Sequence, residues 1–164
     1  MKEFETAFLK TPLGTAKIVG NADGISEVSV MDEEYPNSDN VAEVLQECMV
    51  QLEEYFKGQR KIFSVKLNPA GTDFQKRVWA ELLHIPFGKR TSYMKQTLRL
   101  GNEKAIRAVA SANGKNPIWI IIPCHRVVGS DGSLTGYAGG LWRKEWLLEH
   151  ESPSGQTSLF TMKK

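Results

Sequence analysis

A cysteine and a histidine are adjacent at Cys124-His125, directly after Pro123 and the apolar run Ile118–Ile122. A cysteine is nucleophilic as its thiolate, so a reactive one needs a neighbouring base or cation. A catalytic histidine in turn needs a carboxylate that fixes its tautomer and stabilises its charge. The pair therefore predicts nucleophilic chemistry at the Cys124 sulfur, with His125 as the base.

Two carboxylates could serve this histidine. Glu149 and Glu151 lie at the end of a helix predicted over 141–151. A carboxylate there opposes the helix dipole by ~0.3–1 kcal/mol, so a cationic partner would account for it. Spacing does not choose between the two. If 118–122 is a buried strand or extended segment that continues to His125, neighbouring side chains point to opposite sides. Proton transfer from Cys124 would then need a bridging water or a turn.

The first part of the chain is predicted to form a small antiparallel sheet with one helix. Alternating apolar residues separated by turn residues predict strands at 3–9, 14–20 and 24–30. Helical spacing of apolar residues predicts a helix over 39–57, ending near Gly58, and a further strand is expected at 61–67. Cys48 lies in the apolar stripe of this helix, where a free cysteine acts as a small core residue.

The second part is predicted to be mostly helical. A turn-rich stretch at 68–71 marks the boundary. Thr72 and Gln75 fit a capping box that opens a helix to about residue 84. Shorter helices at 92–99 and 103–112 flank a tight turn with Gly101, which matches a helix-turn-helix. The tryptophans expected in the core are Trp79, Trp119, Trp142 and Trp146. The chain is thus α+β, with domains at 1–70 and 71–151 and a mobile tail at 152–164.

The helix at 103–112 has two different faces. A helical wheel places an apolar set on one face, namely Ala105, Ile106, Val109 and Ala112. The opposite face combines small residues with cations, namely Lys104, Arg107, Ala108 and Ser111. Readers of the major groove usually present long polar side chains. The small-residue face therefore favours shallow DNA docking with little sequence preference, as in a minor groove, unless it is only a solvated surface.

Charge and composition narrow the classes of protein. The net charge of +2 divides into a balance of −5 over residues 1–70 and +5 over residues 71–151, with two lysines in the tail. A basic half indicates contact with a polyanion. No apolar run reaches the roughly 20 residues of a membrane helix, and no secretion signal is evident, so we expect a cytoplasmic protein without membrane contact. The two cysteines and three histidines lack the paired spacing of a metal site.

The chain resembles the O6-alkylguanine-DNA alkyltransferases, also called methylated-DNA–protein-cysteine methyltransferases. Pro123-Cys124-His125-Arg126-Val127 is similar to their active-site motif, and the resemblance extends from about Thr72 to Glu151. The other matching segments, in order, are Thr72-Asp73-Phe74-Gln75, Ser92-Tyr93, the helix from Lys104 to Val109, Asn116-Pro117, Gly136-Tyr137-Ala138-Gly139-Gly140 and Lys144-Glu145-Trp146-Leu147-Leu148. The resemblance also implies a first domain similar to ribonuclease H.

This resemblance implies a suicidal repair protein. It would act as a monomer without cofactor or metal on double-stranded DNA containing O6-alkylguanine, and also on O4-alkylthymine. Cys124 would accept the alkyl group, while His125 would act through a water with Glu151 behind it. Because the target atom is inaccessible in a stacked duplex, the base would be flipped out. Ala138 departs from relatives that have a hydroxyl at this position, which removes a side-chain hydrogen bond.

The resemblance implies roles for further residues. Asn116 would support the active-site turn, and Tyr93 would donate its hydroxyl hydrogen to the flipped guanine. Arg107 would fill the space left by the extruded nucleotide. The remaining contacts to DNA would come from Lys104, Ala105, Ala108 and Ser111. The base pocket would be lined by Val127, Tyr137, Ala138 and Gly139.

Two other classes of function compete with this one. A cysteine hydrolase could use Cys124 and His125, although such enzymes usually have the two residues far apart in sequence. A helix-turn-helix DNA-binding or damage-sensing protein would need no reactive cysteine, and Cys124 argues against it.

Overall fold

The computed structural model describes residues 3–152, and its chain forms two compact units. Unit 1 contains Met1–Gly71 and Pro117–Ile121, while unit 2 contains Thr72–Asn116 and Ile122–Lys164. The tail predicted at 152–164 lies outside the described residues, apart from Ser152. The short return of the chain into unit 1 at 117–121 has no counterpart in the two consecutive domains expected from sequence.

Unit 1 contains the predicted three-stranded antiparallel sheet. Its strands are β1 (Glu5–Thr11), β2 (Gly14–Asn21) and β3 (Gly24–Met31), in the order β1-β2-β3. Alternate residues point to one face and are buried there, as the period of a strand requires. The buried residues of this face are Ala7, Leu9, Ala16, Ile18, Val28 and Val30. The three predicted strands are therefore confirmed.

Helix α1 (Glu43–Phe56) packs against this sheet. It begins four residues later than predicted, so Val41, an apolar residue of the predicted helix, precedes it, and Val44 in its first turn is 42% exposed. The buried stripe is Leu45, Cys48, Gln51, Leu52 and Tyr55. The sulfur of Cys48 is therefore a core atom of unit 1. Gly58 adopts a positive φ of 77° just beyond the helix, as the predicted C-terminal cap requires.

Two predicted extended segments of unit 1 are not strands. Within 61–67, Ser64 donates its backbone N–H to the side chain of Gln51 at 2.9 Å, and only Leu67 forms a bridge, with Ile25. Within 118–122, Ile118 forms one bridge with Val28. The chain then turns at Ile120, whose φ is 75°. A β-branched residue with positive φ is a strained conformation. Each segment bonds to β3 around a single residue, Leu67 opposite Ile25 and Ile118 opposite Val28, so neither continues into a ladder.

Unit 2 is built from four helices and a minimal parallel sheet. The helices are α2 (Asp73–Leu82), α3 (Tyr93–Arg99), α4 (Ile106–Gly114) and α5 (Leu141–His150). The sheet pairs β4 (Thr91–Ser92) with β5 (Val127–Val128). Thr72 caps α2 in a complete capping box with Gln75, as predicted. The α+β fold class is thus confirmed.

Helices α3 and α4 form the predicted helix-turn-helix. Their connection contains Gly101, with a φ of 94°, and a 3-10 turn at Glu103–Ala105 that the sequence prediction had included in the helix. The buried side chains of Gln96 and Asn113 join the two helices through reciprocal amide hydrogen bonds of 2.8 and 2.7 Å. In addition, the indole of Trp79 donates to the Ala112 carbonyl at 2.8 Å, which anchors α2 to α4.

One aromatic residue predicted for the core lies at the surface. Trp142 is 53% exposed, and its ring covers the guanidinium of Arg143 at 4.7 Å from the centroid. A planar cation stacks favourably on an indole face. In the first turn of α5, Trp142 therefore contacts Arg143 and does not belong to the core.

Candidate active site

Cys124 begins a 3-10 turn, Cys124–Arg126, which leads directly into β5. Its backbone N–H bonds to the Ile122 carbonyl at 2.8 Å, so the chain bends sharply on either side of Pro123. Cys124-His125 is therefore not extended, and of the two alternatives named for proton transfer, a bridging water or a turn, the turn is present at Pro123. Because β5 pairs with β4, and α3 starts directly after β4, this short sheet brings Tyr93 to the cavity that the Cys124 sulfur lines.

Asn116 supports the turn that carries the sulfur. Its side-chain amide donates to the Ile122 carbonyl at 2.8 Å and to the Cys124 Sγ at 3.3 Å. Asn116 is itself buried, and its backbone N–H bonds to the Asn113 carbonyl at the end of α4. One side chain thus fixes the bend and also polarises the sulfur.

The Cys124 sulfur faces a cavity of about 590 Å³ in unit 2. That volume is in the range of small-molecule sites and is ample for a nucleobase with an attached alkyl group. The cavity is lined by Tyr93, Ile106, Arg107, Ala110, Asn113, Gly114, Cys124, Thr135, Gly136, Tyr137 and Ala138. Cys124 therefore lies in the wall of a mainly apolar pocket that is open to solvent.

His125 is completely buried and pairs with Glu151, the residue that caps the C-terminus of α5. Its Nε2 lies 2.8 Å from Glu151 Oε2. Because a carboxylate accepts hydrogen bonds, Nε2 carries the hydrogen and Nδ1 has the lone pair. Nδ1 is buried without a hydrogen-bond partner among residues 3–152. The imidazole therefore presents a basic nitrogen away from Glu151, and the choice left open between Glu149 and Glu151 is answered by this contact.

Protonation states follow from burial and neighbours. Burial raises the pKa of the Cys124 thiol, and the Asn116 amide and the Lys144 cation only partly offset this increase. Burial also lowers the pKa of His125, and the opposing effect of Glu151 is smaller. Both shifts favour a neutral thiol and a neutral imidazole in the resting pair.

Two buried cations were given no role by the sequence. Arg126 forms a two-pronged ion pair with Glu151, from Nε to Oε1 at 2.7 Å and from Nη2 to Oε2 at 3.1 Å. Lys144, on α5, donates its Nζ hydrogens to the carbonyls of Thr135 and Gly136 at 2.8 and 3.3 Å. The signal for Arg126 in the sequence was a charged residue next to apolar residues of its motif. The partners of Arg126 and Lys144 could not be predicted from spacing.

The glycine-rich loop before α5 forms one side of the cavity. Tyr137 and Ala138 line it, while Gly139 is buried beneath and accepts a hydrogen bond from Arg143. Burial raises the pKa of Tyr137 well above its usual value, so its hydroxyl remains protonated. Val127 is a buried residue of β5 and does not belong to the cavity lining.

Helix α4 presents the expected two-faced surface. Arg107, Ala108 and Ser111 are exposed, as is Lys104 in the preceding 3-10 turn. Val109 and Ala112 are buried. Ala105 and Ile106 are partly exposed, so the apolar face is less fully covered than the helical wheel predicted. Arg107 belongs to both the exposed face and the cavity wall, which places a cation at the entrance of the pocket.

Two negative findings apply to residues 3–152. In this range no three side chains of His, Cys, Asp or Glu come together as a metal ion would require. None of the helices in the same range is long and apolar enough to cross a bilayer.

Both units match known domain families. Residues 73–153 match the DNA-binding domain of 6-O-methylguanine DNA methyltransferase, and residues 6–69 match its ribonuclease-like domain. The methylated-DNA–protein-cysteine methyltransferase of Methanosarcina acetivorans is 46% identical over 151 residues, covering 88% of this chain and 96% of that protein. The corresponding protein of Mycobacterium leprae is 41% identical, covering 92% of this chain and 94% of that protein.

Solved structures agree with the sequence relatives. The crystal structure of Mycobacterium tuberculosis OGT in complex with DNA superposes with a TM-score of 0.80 at 39% identity, covering 94% of this chain and 97% of that chain. The O6-methylguanine methyltransferase structure from the same organism gives a TM-score of 0.81 at 37% identity, covering 96% and 99%. With both units matched in order, this chain belongs to the 6-O-methylguanine DNA methyltransferase family, the methylated-DNA–protein-cysteine methyltransferases.

Proposed function

We propose that this chain repairs O6-alkylguanine in double-stranded DNA by transferring the alkyl group to the Cys124 sulfur. The observation that carries the proposal is the Cys124 thiol in the wall of a cavity large enough for an alkylated base. His125 follows it directly in the chain and is paired with the buried Glu151. O4-alkylthymine carries the same oxygen–alkyl bond on a smaller ring, so we include it as a substrate. Family relatives that act on methylated DNA support this assignment.

The transfer begins with a proton and ends with a thioether. His125 Nδ1 accepts the thiol proton through a bridging water, and the imidazolium is stabilised by Glu151. The thiolate attacks the alkyl carbon, the carbon–sulfur bond forms, and the bond from carbon to guanine O6 breaks. Guanine leaves with the electron pair of that bond and accepts a proton. The exchange is neither oxidation nor reduction, and it needs no cofactor.

Tyr93 and Asn116 are assigned supporting roles in this step. The Tyr93 hydroxyl, 3.4 Å from the Thr135 carbonyl at the cavity, is placed to donate to the departing guanine. A donor where negative charge develops lowers the barrier most effectively. Asn116 stabilises the developing thiolate through its existing contact with the sulfur. Tyr137, Ala138 and Gly139 form the pocket wall or its support, whereas Val127, which does not line the cavity, is assigned no contact with the base.

For DNA, we propose docking through the exposed face of α4. Ala105, Ala108 and Ser111 let the helix approach a groove closely, which suits the minor groove, and Lys104 contacts phosphate. Arg107 replaces the flipped nucleotide in the stack, because it lies both on this face and at the cavity. All of these groups come from one chain, so we propose a monomer acting in the cytoplasm.

Mass spectrometry tests this function directly. The protein is incubated with a duplex oligonucleotide containing O6-methylguanine, and both products are weighed. We expect one methyl group on the peptide with Cys124, at most one lesion repaired per protein molecule, and no transfer by Cys124→Ser. Catalytic turnover would identify a hydrolase, and an unmodified protein bound to the lesion would identify a damage sensor.

Cys48→Ser provides the matched control. Burial raises the pKa of Cys48 to about 12, and its sulfur lies within the core of unit 1. A thiol in that environment is unreactive, so the variant should transfer as well as the natural chain. Loss of transfer in Cys48→Ser, with transfer retained in Cys124→Ser, would overturn the assignment of the acceptor.

A further inference from the structure

Arg126 connects Glu151 to the segment at 85–87, which also belongs to unit 2. Besides its two bonds to Glu151, it donates from Nη1 to the Ile85 carbonyl at 2.6 Å. Its guanidinium also lies 5.9 Å from the centroid of the Phe87 ring. Arg126 is 6% exposed and Glu151 2%. Neither Arg126 nor its partners at 85–87 line the cavity, so Arg126 does not touch a base bound there and acts through Glu151 and through its charge beside His125.

The charges in this buried cluster determine the state of the imidazole. Arg126 and Glu151 together are neutral, so a proton on His125 would add a net positive charge to a site with no exposure. Without the guanidinium, the same proton would neutralise a buried carboxylate. Burying an uncompensated charge is costly, whereas a buried pair of opposite charges is favoured relative to a single charge. The two arrangements therefore favour opposite protonation states of His125.

We propose that Arg126 is a positioning residue that keeps Glu151 ionised and His125 neutral at physiological pH, so that Nδ1 is ready to accept the thiol proton. The active site is then a four-membered series, Cys124–His125–Glu151–Arg126. This inference rests on the proposed function for its catalytic meaning. The protonation states of Glu151 and His125, in contrast, can be tested on the protein without any substrate.

Other charges facing His125 do not replace this effect. Lys144 also disfavours a proton on the imidazole, while Glu151 favours it. The Lys144 Nζ, however, donates its hydrogen bonds to the Thr135 and Gly136 carbonyls, away from the carboxylate that Arg126 holds. Removing Arg126 alone should therefore leave the Glu151 carboxylate without its paired cation, while Lys144 stays in place.

The first test follows the rate of alkyl transfer from free O6-alkylguanine against pH, so that DNA binding does not contribute. In Arg126→Met the acidic limb should move to higher pH by about one unit, with a larger loss of rate near the acidic limb than on the alkaline plateau. Arg126→Lys keeps the charge but loses the two-pronged geometry. It should return the limb close to that of the natural chain while the plateau rate remains reduced.

Arg60→Met is the matched control, because Arg60 also pairs with a glutamate, Glu54, at 2.7 Å but lies in unit 1. It should change neither the limb nor the plateau. If Arg126 were merely structural, Arg126→Met would lower the rate equally at every pH. A limb that does not move in the folded variant overturns the proposal.

The second test observes His125 without any substrate. The chain has three histidines, so ¹⁵N-histidine labelling with His84→Asn and His150→Asn variants assigns the imidazole signals. In the natural chain His125 should be neutral, with hydrogen on Nε2, at about pH 7, and in Arg126→Met its midpoint should rise by about one unit. A charged His125 in the natural chain at this pH overturns the proposal even if Arg126→Met fails to fold.

These two tests separate the inference from the function on which it rests. If the protein transferred no alkyl group and the His125 midpoint still rose in Arg126→Met, the proposed function would fail and the electrostatic role would stand. If transfer occurred and the midpoint did not move, the function would stand and the role of Arg126 would fail.

Discussion

Lys144 lies in the first half of α5 with its side chain fully buried, close enough to the active site for its charge to act on the Cys124 thiol. Its Nζ also lies 5.7 Å from the centroid of the Tyr93 ring. Burial lowers the pKa of Lys144 to about 8, and Cys124 opposes this decrease. Near pH 7 the side chain is therefore a cation that favours the thiolate over the thiol.

Replacing this cation should slow the transfer. In Lys144→Met we expect the rate with free O6-alkylguanine near neutral pH to fall by about tenfold, equivalent to about one pKa unit lost from thiolate stabilisation. Stopped-flow or quench measurements of the Cys124 adduct give the rate. Lys76→Met removes an exposed lysine of α2 and is the control. A rate equal to that of the natural chain would mean that Lys144 only tethers the loop at Thr135.

The sequence predicted the reactive pair Cys124-His125 but not the charges that surround it. Cys124 and His125 are adjacent, so their type and spacing were visible. Glu151 was one of two candidates, because a helix end does not show which carboxylate points inward. Arg126 and Lys144 depend on contacts with Ile85 and Thr135, which are distant in the chain or lie in a loop. Neither contact leaves a periodic pattern in the sequence.

Helix α4 contributes both to the core of unit 2 and to the exposed face beside the cavity. Its buried side is tied to α3 through Gln96 and Asn113, and its exposed side carries Arg107 beside the cavity. A reciprocal pair of buried amide bonds allows little sliding between the two helices, because any shift would leave polar groups unsatisfied. The position of Arg107 relative to the pocket is therefore fixed by the core of the helix-turn-helix.

Arg107→Ala should separate reaction with duplex DNA from reaction with the free base. If the guanidinium fills the space of the flipped nucleotide, its loss should lower the rate at saturating duplex by about 10- to 100-fold, or ~1.4–2.8 kcal/mol. The rate with free O6-alkylguanine should not change. Both are measured as formation of the Cys124 adduct.

Lys104→Ala is the matched variant for this experiment, because it removes one charge from the same surface. It should weaken duplex affinity and leave the rate at saturation unchanged. Equal losses for Arg107→Ala on duplex and free base would contradict the proposed replacement of the nucleotide.

The elements that the sequence predicted best were those with a regular period. The strands of unit 1 alternate, and helices α2 and α4 carry apolar stripes, so their existence followed from pattern. The segment at 118–122 is also apolar, but it turns locally at Ile120, and the segment at 61–67 mixes polar and apolar residues and bonds to the Gln51 side chain and to Ile25. An apolar run indicates burial, and it does not by itself specify a strand. The chain turns at Ile120 with a strained positive φ. A β-branched residue does not indicate such a turn in the sequence.

The charge of the chain is distributed unevenly along its length. The first 70 residues have a balance of −5 and residues 71–151 a balance of +5. The proposed DNA surface belongs to the basic part. Binding should therefore draw on phosphate contacts and the release of counterions, with little dependence on base sequence.

DNA affinity should accordingly fall steeply with salt. Between about 50 and 200 mM NaCl we expect the Kd for an undamaged duplex to rise by at least about tenfold, as a few neutralised phosphates require. Fluorescence anisotropy with two duplexes of unrelated sequence provides the measurement, and their Kd values should agree within about threefold. A Kd independent of salt, or strong preference for one undamaged sequence, would refute phosphate-dominated binding.

The contact between His125 and Glu151 has a consequence for how the protein is made. The two residues are separated by 26 positions, and Glu151 follows the final helix of the described chain. A ribosome exposes the Cys124 motif before it exposes this carboxylate. Until α5 has emerged and docked, the imidazole lacks the group that fixes its tautomer. A chain still in synthesis therefore exposes the Cys124 sulfur before its proposed base is assembled, and transfer by the proposed mechanism has to wait until α5 has docked.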